Sequence, residues 1–137
     1  MTVFLDTSGL LAVVNDRDRL HDEAERQWLE MRRDRRRLLT TSRVVIECGD
    51  GLSRLRQRPI AVALRKALLA AGDVEVVDVT RDDEARAWDL FEQRPDKEWG
   101  VTDCVSFVAM QDRGITDAFT ADRHFEQAGF RPLLAAS

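Results

Sequence analysis

Val3-Phe4-Leu5 is an apolar run that stops abruptly at a carboxylate, Asp6. So short a run with no polar alternation reads as a fully buried strand, the kind found in parallel sheets covered by helices. Ser8 is then placed to cap a helix that begins at about Gly9-Leu10-Leu11. In open parallel sheets, ligands bind outside the carboxyl ends of the strands, and Asp6 stands at such an end. A carboxylate there is costly unless something offsets its desolvation. Three later stretches also set one carboxylate among apolar residues: Val45-Ile46-Glu47, Val101-Thr102-Asp103-Cys104, and Phe119-Thr120-Ala121-Asp122-Arg123-His124-Phe125.

The chain between these stretches alternates strand and helix signals. Asn15-Asp16-Arg17-Asp18 is a polar turn, and Ala24, Trp28, Leu29 and Met31 predict an amphipathic helix from His21 to about Arg35. Leu38 to Thr41 is a second strand. Thr41 or Ser42 caps a helix with Val44, Val45, Cys48, Leu52 and Leu55 on its buried face and Glu47 along the edge of that face. Arg58-Pro59 marks a helix boundary, a helix runs from Ile60 to Ala70, and Gly72 ends it. Val74 to Val79 is a third strand. Thr80 with Asp83 forms a capping box for a helix from about Arg81 to Gln93 through Ala85, Trp88 and Phe91. Thr102 is the expected N-cap of a helix from Asp103 to Arg113, so Asp103 falls in the first turn, where the helix dipole favours negative charge. Gly114 ends that helix. Ala118 to Thr120, a short helix from Phe125 to Ala128 and a strand near Arg131 to Leu134 complete the pattern. The alternation predicts an α/β fold, a parallel sheet of four to five strands flanked by helices on both faces.

With 137 residues and 44% hydrophobic content, the expectation is one domain over residues 1–137, burying roughly 70% of its unfolded surface. The first apolar run is broken by Asp6 and has neither a basic flank nor a cleavage site, and no run approaches a membrane span, so a soluble cytoplasmic protein is expected. Cys48 and Cys104 offer no disulfide framework and no zinc spacing. The formal net charge of -4 at first sight argues against a nucleic-acid partner. Two divalent cations in a pocket of four acids would bring the sum to -4 + 4 = 0, and arginines crowd from Arg32 to Arg37 and again near Arg54, Arg56, Arg58 and Arg65.

Asp6 and Asp122 follow strands, and Glu47 and Asp103 lie near helix starts, so a right-handed alternating fold can gather them at one end of the sheet. At ~5 Å and an effective dielectric near 20, each like-charge pair costs about 3 kcal/mol. Either some of them hold a proton at neutral pH, or a divalent cation draws them together. An all-carboxylate set suits a hard ion, magnesium or manganese (Mg²⁺ or Mn²⁺), and such an ion supports phosphodiester hydrolysis.

The order of these motifs resembles the PIN domain: a first strand ending in Asp6-Thr7-Ser8, a mid-chain Glu47 on a helix, Thr102-Asp103-Cys104-Val105-Ser106 opening a helix, and Thr120-Ala121-Asp122-Arg123-His124-Phe125 followed by Gly129-Phe130. The version here is similar to the small stand-alone VapC-like toxins of toxin-antitoxin pairs. That resemblance implies a Mg²⁺- or Mn²⁺-dependent endoribonuclease acting on an RNA substrate, restrained by an antitoxin protein and assembled as a homodimer. It implies Asp6 and Asp103 as the principal metal ligands, with Asp122 and Glu47 completing the pocket and orienting the attacking water. Thr7, Ser8 or Thr120 would hydrogen-bond a ligand carboxylate or that water.

The alternative is a catalytically inert PIN-like scaffold that binds RNA or protein. A receiver-type domain would need an early acidic pair and a late Lys, and an aspartyl phosphatase a second Asp where Ser8 stands. The Arg32 to Arg37 run reads as RNA contacts or as a solvated helix end. Trp99 reads as a base-stacking platform or as a cover for the core, and His124 as packing for the last helix. Trp28, Leu29 and Met31 exceed a narrow buried stripe and offer an apolar surface to a second subunit or an inhibitory peptide.

Overall fold

The computed structural model describes residues 1–134. In it the run Val3-Phe4-Leu5 is completely buried in β1 (Thr2–Leu5), the central strand of the sheet. β2 (Arg37–Thr41) and β4 (Asp117–Phe119) flank it in parallel, so that Phe4 pairs with Leu39 on one side and with Ala118 on the other. β3 (Val74–Val77) pairs with β2, and β5 (Arg131–Pro132) pairs with β4. The resulting five-stranded order is β3-β2-β1-β4-β5, with every pairing parallel. The chain first steps outward from β1 through β2 to β3, then returns to the other side of β1. The order therefore reverses between β1 and β4, and the crevice at such a reversal is where open α/β sheets place ligands.

Helices supply the covering layers. They are α1 (Thr7–Val14), α2 (His21–Arg33), α3 (Ser42–Gly51), α4 (Arg58–Ala70), α5 (Arg81–Gln93), α6 (Val101–Asp112) and α7 (Arg123–Gln127). Every residue of α6 from Cys104 to Met110 is buried, which explains why its sequence is apolar around most of its circumference rather than along one stripe. Phe4, Phe107, Phe119 and Phe125 are the largest side chains that are fully buried, and Phe107 meets Phe125 edge-on at 4.9 Å between centroids. Thr40, wholly buried in β2, donates its hydroxyl to the Leu5 carbonyl at 2.8 Å, so no polar atom is left unpaired there. α1 sits so close to the end of β4 that a Cβ on Gly9 would collide with the Phe119 carbonyl oxygen.

Some local expectations are corrected. Gly100, not Thr102, is the N-cap of α6, which moves Asp103 to the third helical position. α1 begins at Thr7 with Asp6 as N-cap, and the Ser8 hydroxyl turns to Asp6 instead of capping. α3 stops at Gly51, and Leu55 lies beyond it at 86% exposure rather than on a buried face. On α5 the small Ala87 faces the core where the helix packs against α6, and the larger Trp88 and Phe91 stay exposed, edge-on to each other at 5.6 Å. β3 ends at Val77 and β5 at Pro132, each two residues short of expectation. On α2 only Ala24 and Met31 are buried, and Leu29 is exposed.

Candidate active site

Asp6 leaves β1 at its carboxyl end and is only 5% exposed. Its Oδ2 accepts hydrogen bonds from Thr120 Oγ1 at 2.7 Å and from Ser8 Oγ at 3.1 Å. Thr120 directly follows β4, the parallel neighbour of β1, so the contact exists because two strand ends lie side by side. The same hydroxyls also accept from the backbone: Asp122 N–H donates to Thr120 Oγ1 and Ala121 N–H to Ser8 Oγ. The loop after β4 is thereby tied to the loop after β1. Burial pushes the Asp6 carboxyl up to about 6, opposed by the Thr120 hydrogen bond and reinforced by the charge of Asp103.

Asp103 reaches the same region from the first turn of α6. Its Oδ2 accepts from the Gly100 N–H at 3.1 Å and lies 3.0 Å from His124 Nδ1. Burial raises its carboxyl above the usual range, with a further push from Asp122, while the His124 contact and the Gly100 N–H oppose the shift. Asp122 is the N-cap of α7, its Oδ1 accepting from the His124 N–H at 2.9 Å. His124 Nδ1 lies 3.4 Å from that same Oδ1. Asp103, Asp122 and His124 each offer one ligand atom, and these atoms all lie within 4.8 Å of one another.

Glu47 stands apart from that trio. It is half-buried on α3, and among the described residues its carboxylate meets no hydrogen-bond or ion-pair partner. Its neighbour Cys48 links it to the site: burial pushes the thiol up to about 12, and the charges of Asp6 and then Glu47 add to the effect. Thr7 Oγ1, next to Asp6, is a buried oxygen with no hydrogen-bond partner among the described residues. Two carboxylates held at raised proton affinity, Asp6 and Asp103, with Asp122 against Asp103, an unpartnered Glu47 and an orphaned hydroxyl, fit a hard divalent cation with its water shell.

Other candidates fall away from the site. Trp99 is 5% exposed, lies edge-on to Phe107 at 5.1 Å and donates its Nε1–H to Gln127 Oε1, so it covers the core and offers no face to a base. The Arg32 to Arg37 run leads into the start of β2, the end of the sheet opposite Asp6, where Arg32 pairs with Asp73 and Arg36 with Asp117. His124 is the residue that reading the sequence undervalued. Its place two positions after an N-cap Asp was visible, but its contact to Asp103 spans 21 residues and only the fold creates it.

Residues 3–131 match the family described as PIN domain. The chain is 32% identical over 128 residues to the 23S rRNA-specific endonuclease VapC20 of Mycobacterium tuberculosis, covering 93% of this chain and 95% of that protein. It is similar to the crystal structure of that toxin, described as Sarcin-Ricin loop cleaving, with a TM-score of 0.86 and 30% identity over 97% of this chain and 99% of that one. VapBC2 from Rickettsia felis, solved bound to a promoter DNA fragment, shares the fold with a TM-score of 0.71 and 14% identity over 96% and 97% of the two chains. A reversal of strand order flanked by Asp6 and Asp122, with Asp103 brought in by a buried helix, is thus the arrangement of a known fold, and the chain belongs to the PIN-domain family.

Proposed function

We propose that this protein is a metal-dependent endoribonuclease, the toxin of a toxin-antitoxin pair, hydrolysing phosphodiester bonds in structured RNA. The observation that carries this reading is the convergence at the β1/β4 reversal. Asp6 is clamped there by Thr120 and Ser8 within electrostatic reach of Asp103, which itself lies against His124 and Asp122. Asp6 and Asp103 would be the principal ligands of Mg²⁺ or Mn²⁺, with Asp122 and Glu47 completing the acidic pocket. When bound, the ion supplies a water of lowered pKa and offsets charge developing on the phosphoryl oxygens. Glu47, which has no partner among the described residues, would accept a hydrogen bond from the attacking water and orient it.

The 32% identity to a 23S rRNA-specific endonuclease supports ribosomal RNA as the substrate class. Solved relatives in which toxin and antitoxin chains occur together support an antitoxin partner, and a homodimer is the assembly proposed for this chain. Among the described residues no helix is long and apolar enough to cross a membrane, and a cytoplasmic site of action follows from a ribosomal substrate.

The test is cleavage of a 23S rRNA stem-loop transcript by purified protein in Mg²⁺ or Mn²⁺, beside Asp6→Asn and a chelator control. Metal-dependent cutting that disappears in the variant is the expected result. Equal behaviour of wild type and variant, together with no divalent ion bound in a direct titration, would instead favour the inert scaffold.

A further inference from the structure

Arg43 is the second residue of α3, one helical turn before Glu47. Its Nε donates to Thr102 Oγ1 at 3.1 Å, and Thr102 immediately precedes Asp103 in the first turn of α6. The guanidinium is therefore held where α3 meets the helix that carries an active-site carboxylate. Its partner is a neutral hydroxyl. Arg32, Arg36, Arg86, Arg94 and Arg131 each engage a carboxylate within 3.1 Å. Among the described residues no carboxylate reaches the Nη atoms of Arg43, not even Glu47 at the spacing that commonly forms helical ion pairs.

An arginine fixed through Nε keeps its planar fork oriented while its Nη donors stay available. That geometry matches two oxygens of a phosphate, and a lysine cannot reproduce it. The location also answers an electrostatic need. A pocket of four carboxylates repels an RNA backbone, and a cation at its rim gives the strand one attractive point of entry. We propose that Arg43 binds a backbone phosphate of the RNA at the rim of the acidic pocket, positioning the strand for cleavage. This assignment rests on the nuclease reading above.

Steady-state cleavage of the 23S rRNA stem-loop tests it, with wild type, Arg43→Ala and Arg43→Lys compared from 50 to 300 mM KCl. Melting temperature and Mn²⁺ affinity without RNA are measured alongside. Arg43→Ala is expected to raise KM about tenfold with a much smaller change in kcat. It should also flatten the slope of log(kcat/KM) against log[salt] by roughly 0.7, the share of one phosphate contact on a single strand. Melting temperature and Mn²⁺ affinity should stay at wild-type values, and Arg43→Lys should restore the salt slope but only part of KM. An unchanged slope in Arg43→Ala, or a loss of activity matched by loss of stability or metal affinity, would reduce Arg43 to a brace for α6 and overturn the assignment. Wild-type protein that does not cut the RNA would overturn the nuclease reading itself, a result separable from either outcome in the variants.

Discussion

Thr120 Oγ1 donates a 2.7 Å hydrogen bond to Asp6 Oδ2 across 114 residues of sequence, joining the carboxyl ends of two adjacent parallel strands. The same oxygen accepts the Asp122 N–H, so a single hydroxyl sets the relative position of two acidic residues. It also opposes the burial that raises the Asp6 carboxyl to about 6. Thr120→Val removes both bonds at nearly constant volume. The variant is expected to bind Mn²⁺ roughly 10- to 100-fold more weakly, the range seen when a residue supporting a metal ligand is lost, and the acid limb of its pH-rate profile should move to higher pH. Thr120→Ser should recover most of the affinity. Calorimetric titration with Mn²⁺ and cleavage rates across pH check both statements.

Asp6 also predicts a stability cost in the absence of metal. Its folded-state carboxyl titrates at about 6 against an ordinary 3.8, so the folded chain holds this proton more tightly than the unfolded chain. Stability from this group is present at low pH and is lost as pH rises from about 3.8 to about 6, after which the loss stays constant. In chelator at pH 7.5, Asp6→Asn should therefore be more stable than wild type by about 1–3 kcal/mol, with the gap closing as pH falls below 6. Saturating Mn²⁺ should reverse the order, because only the wild type gains binding energy from the ion. Thermal unfolding across pH, with and without Mn²⁺, reads both effects.

Two kinds of signal made much of this molecule legible from its sequence. The apolar run ending at Asp6 and the shorter one before Thr120 could be read as strands, and with them the alternating architecture, because full burial needs consecutive apolar residues. The four carboxylates were visible because each breaks an apolar context. What stayed hidden depends on packing between distant elements. Ala87 faces the core while Trp88 and Phe91 do not, since a close helix pair selects for small size and hydropathy alone ranks those three the other way. His124 gains its meaning from Asp103, and Thr120 from Asp6, through contacts with no local signature. The arginine run looked available to RNA because its partners Asp73 and Asp117 lie 41 and 81 residues from Arg32 and Arg36.

Asp117 opens β4 at the end of the sheet opposite the acidic pocket and receives Arg131 and Arg36 together, at 2.9 and 3.1 Å. The Arg131 hydrogen bonds hold its carboxyl below the usual range against the effect of burial, with Arg36 adding to them. A depressed folded value means that the stabilisation is present above the ordinary 3.8 and is lost as pH falls through the folded value. Asp117→Asn should cost about 1–3 kcal/mol at pH 7 by weakening two charged hydrogen bonds to a nearly buried group. Its deficit relative to wild type should vanish in strong acid. Because this network lies far from the acidic pocket, Mn²⁺ affinity should not change. Urea titrations at pH 7 and pH 2.5, with a Mn²⁺ titration at neutral pH, separate a structural role from a functional one.

Gly9 lies next to Ser8 on α1, and its bare Cα permits the close approach of α1 to the end of β4. In Gly9→Ala the new methyl would meet the Phe119 carbonyl oxygen and the Phe119 ring, and a backbone carbonyl has little room to retreat. Helical propensity favours alanine here by about 1 kcal/mol, yet the collision should dominate and make the variant less stable by about 1–3 kcal/mol. Relief comes by lifting α1 away from β4, which pulls Ser8 from Ala121 and strains the Thr120 bond to Asp6. Stability and Mn²⁺ affinity should consequently fall together in Gly9→Ala. Gly49→Ala is the matched control, a helical glycine with open space where its Cβ would lie, and it should leave both unchanged or slightly improve stability. If Gly9→Ala lost stability while keeping wild-type metal affinity, the carboxylate geometry would be independent of how closely α1 packs on β4.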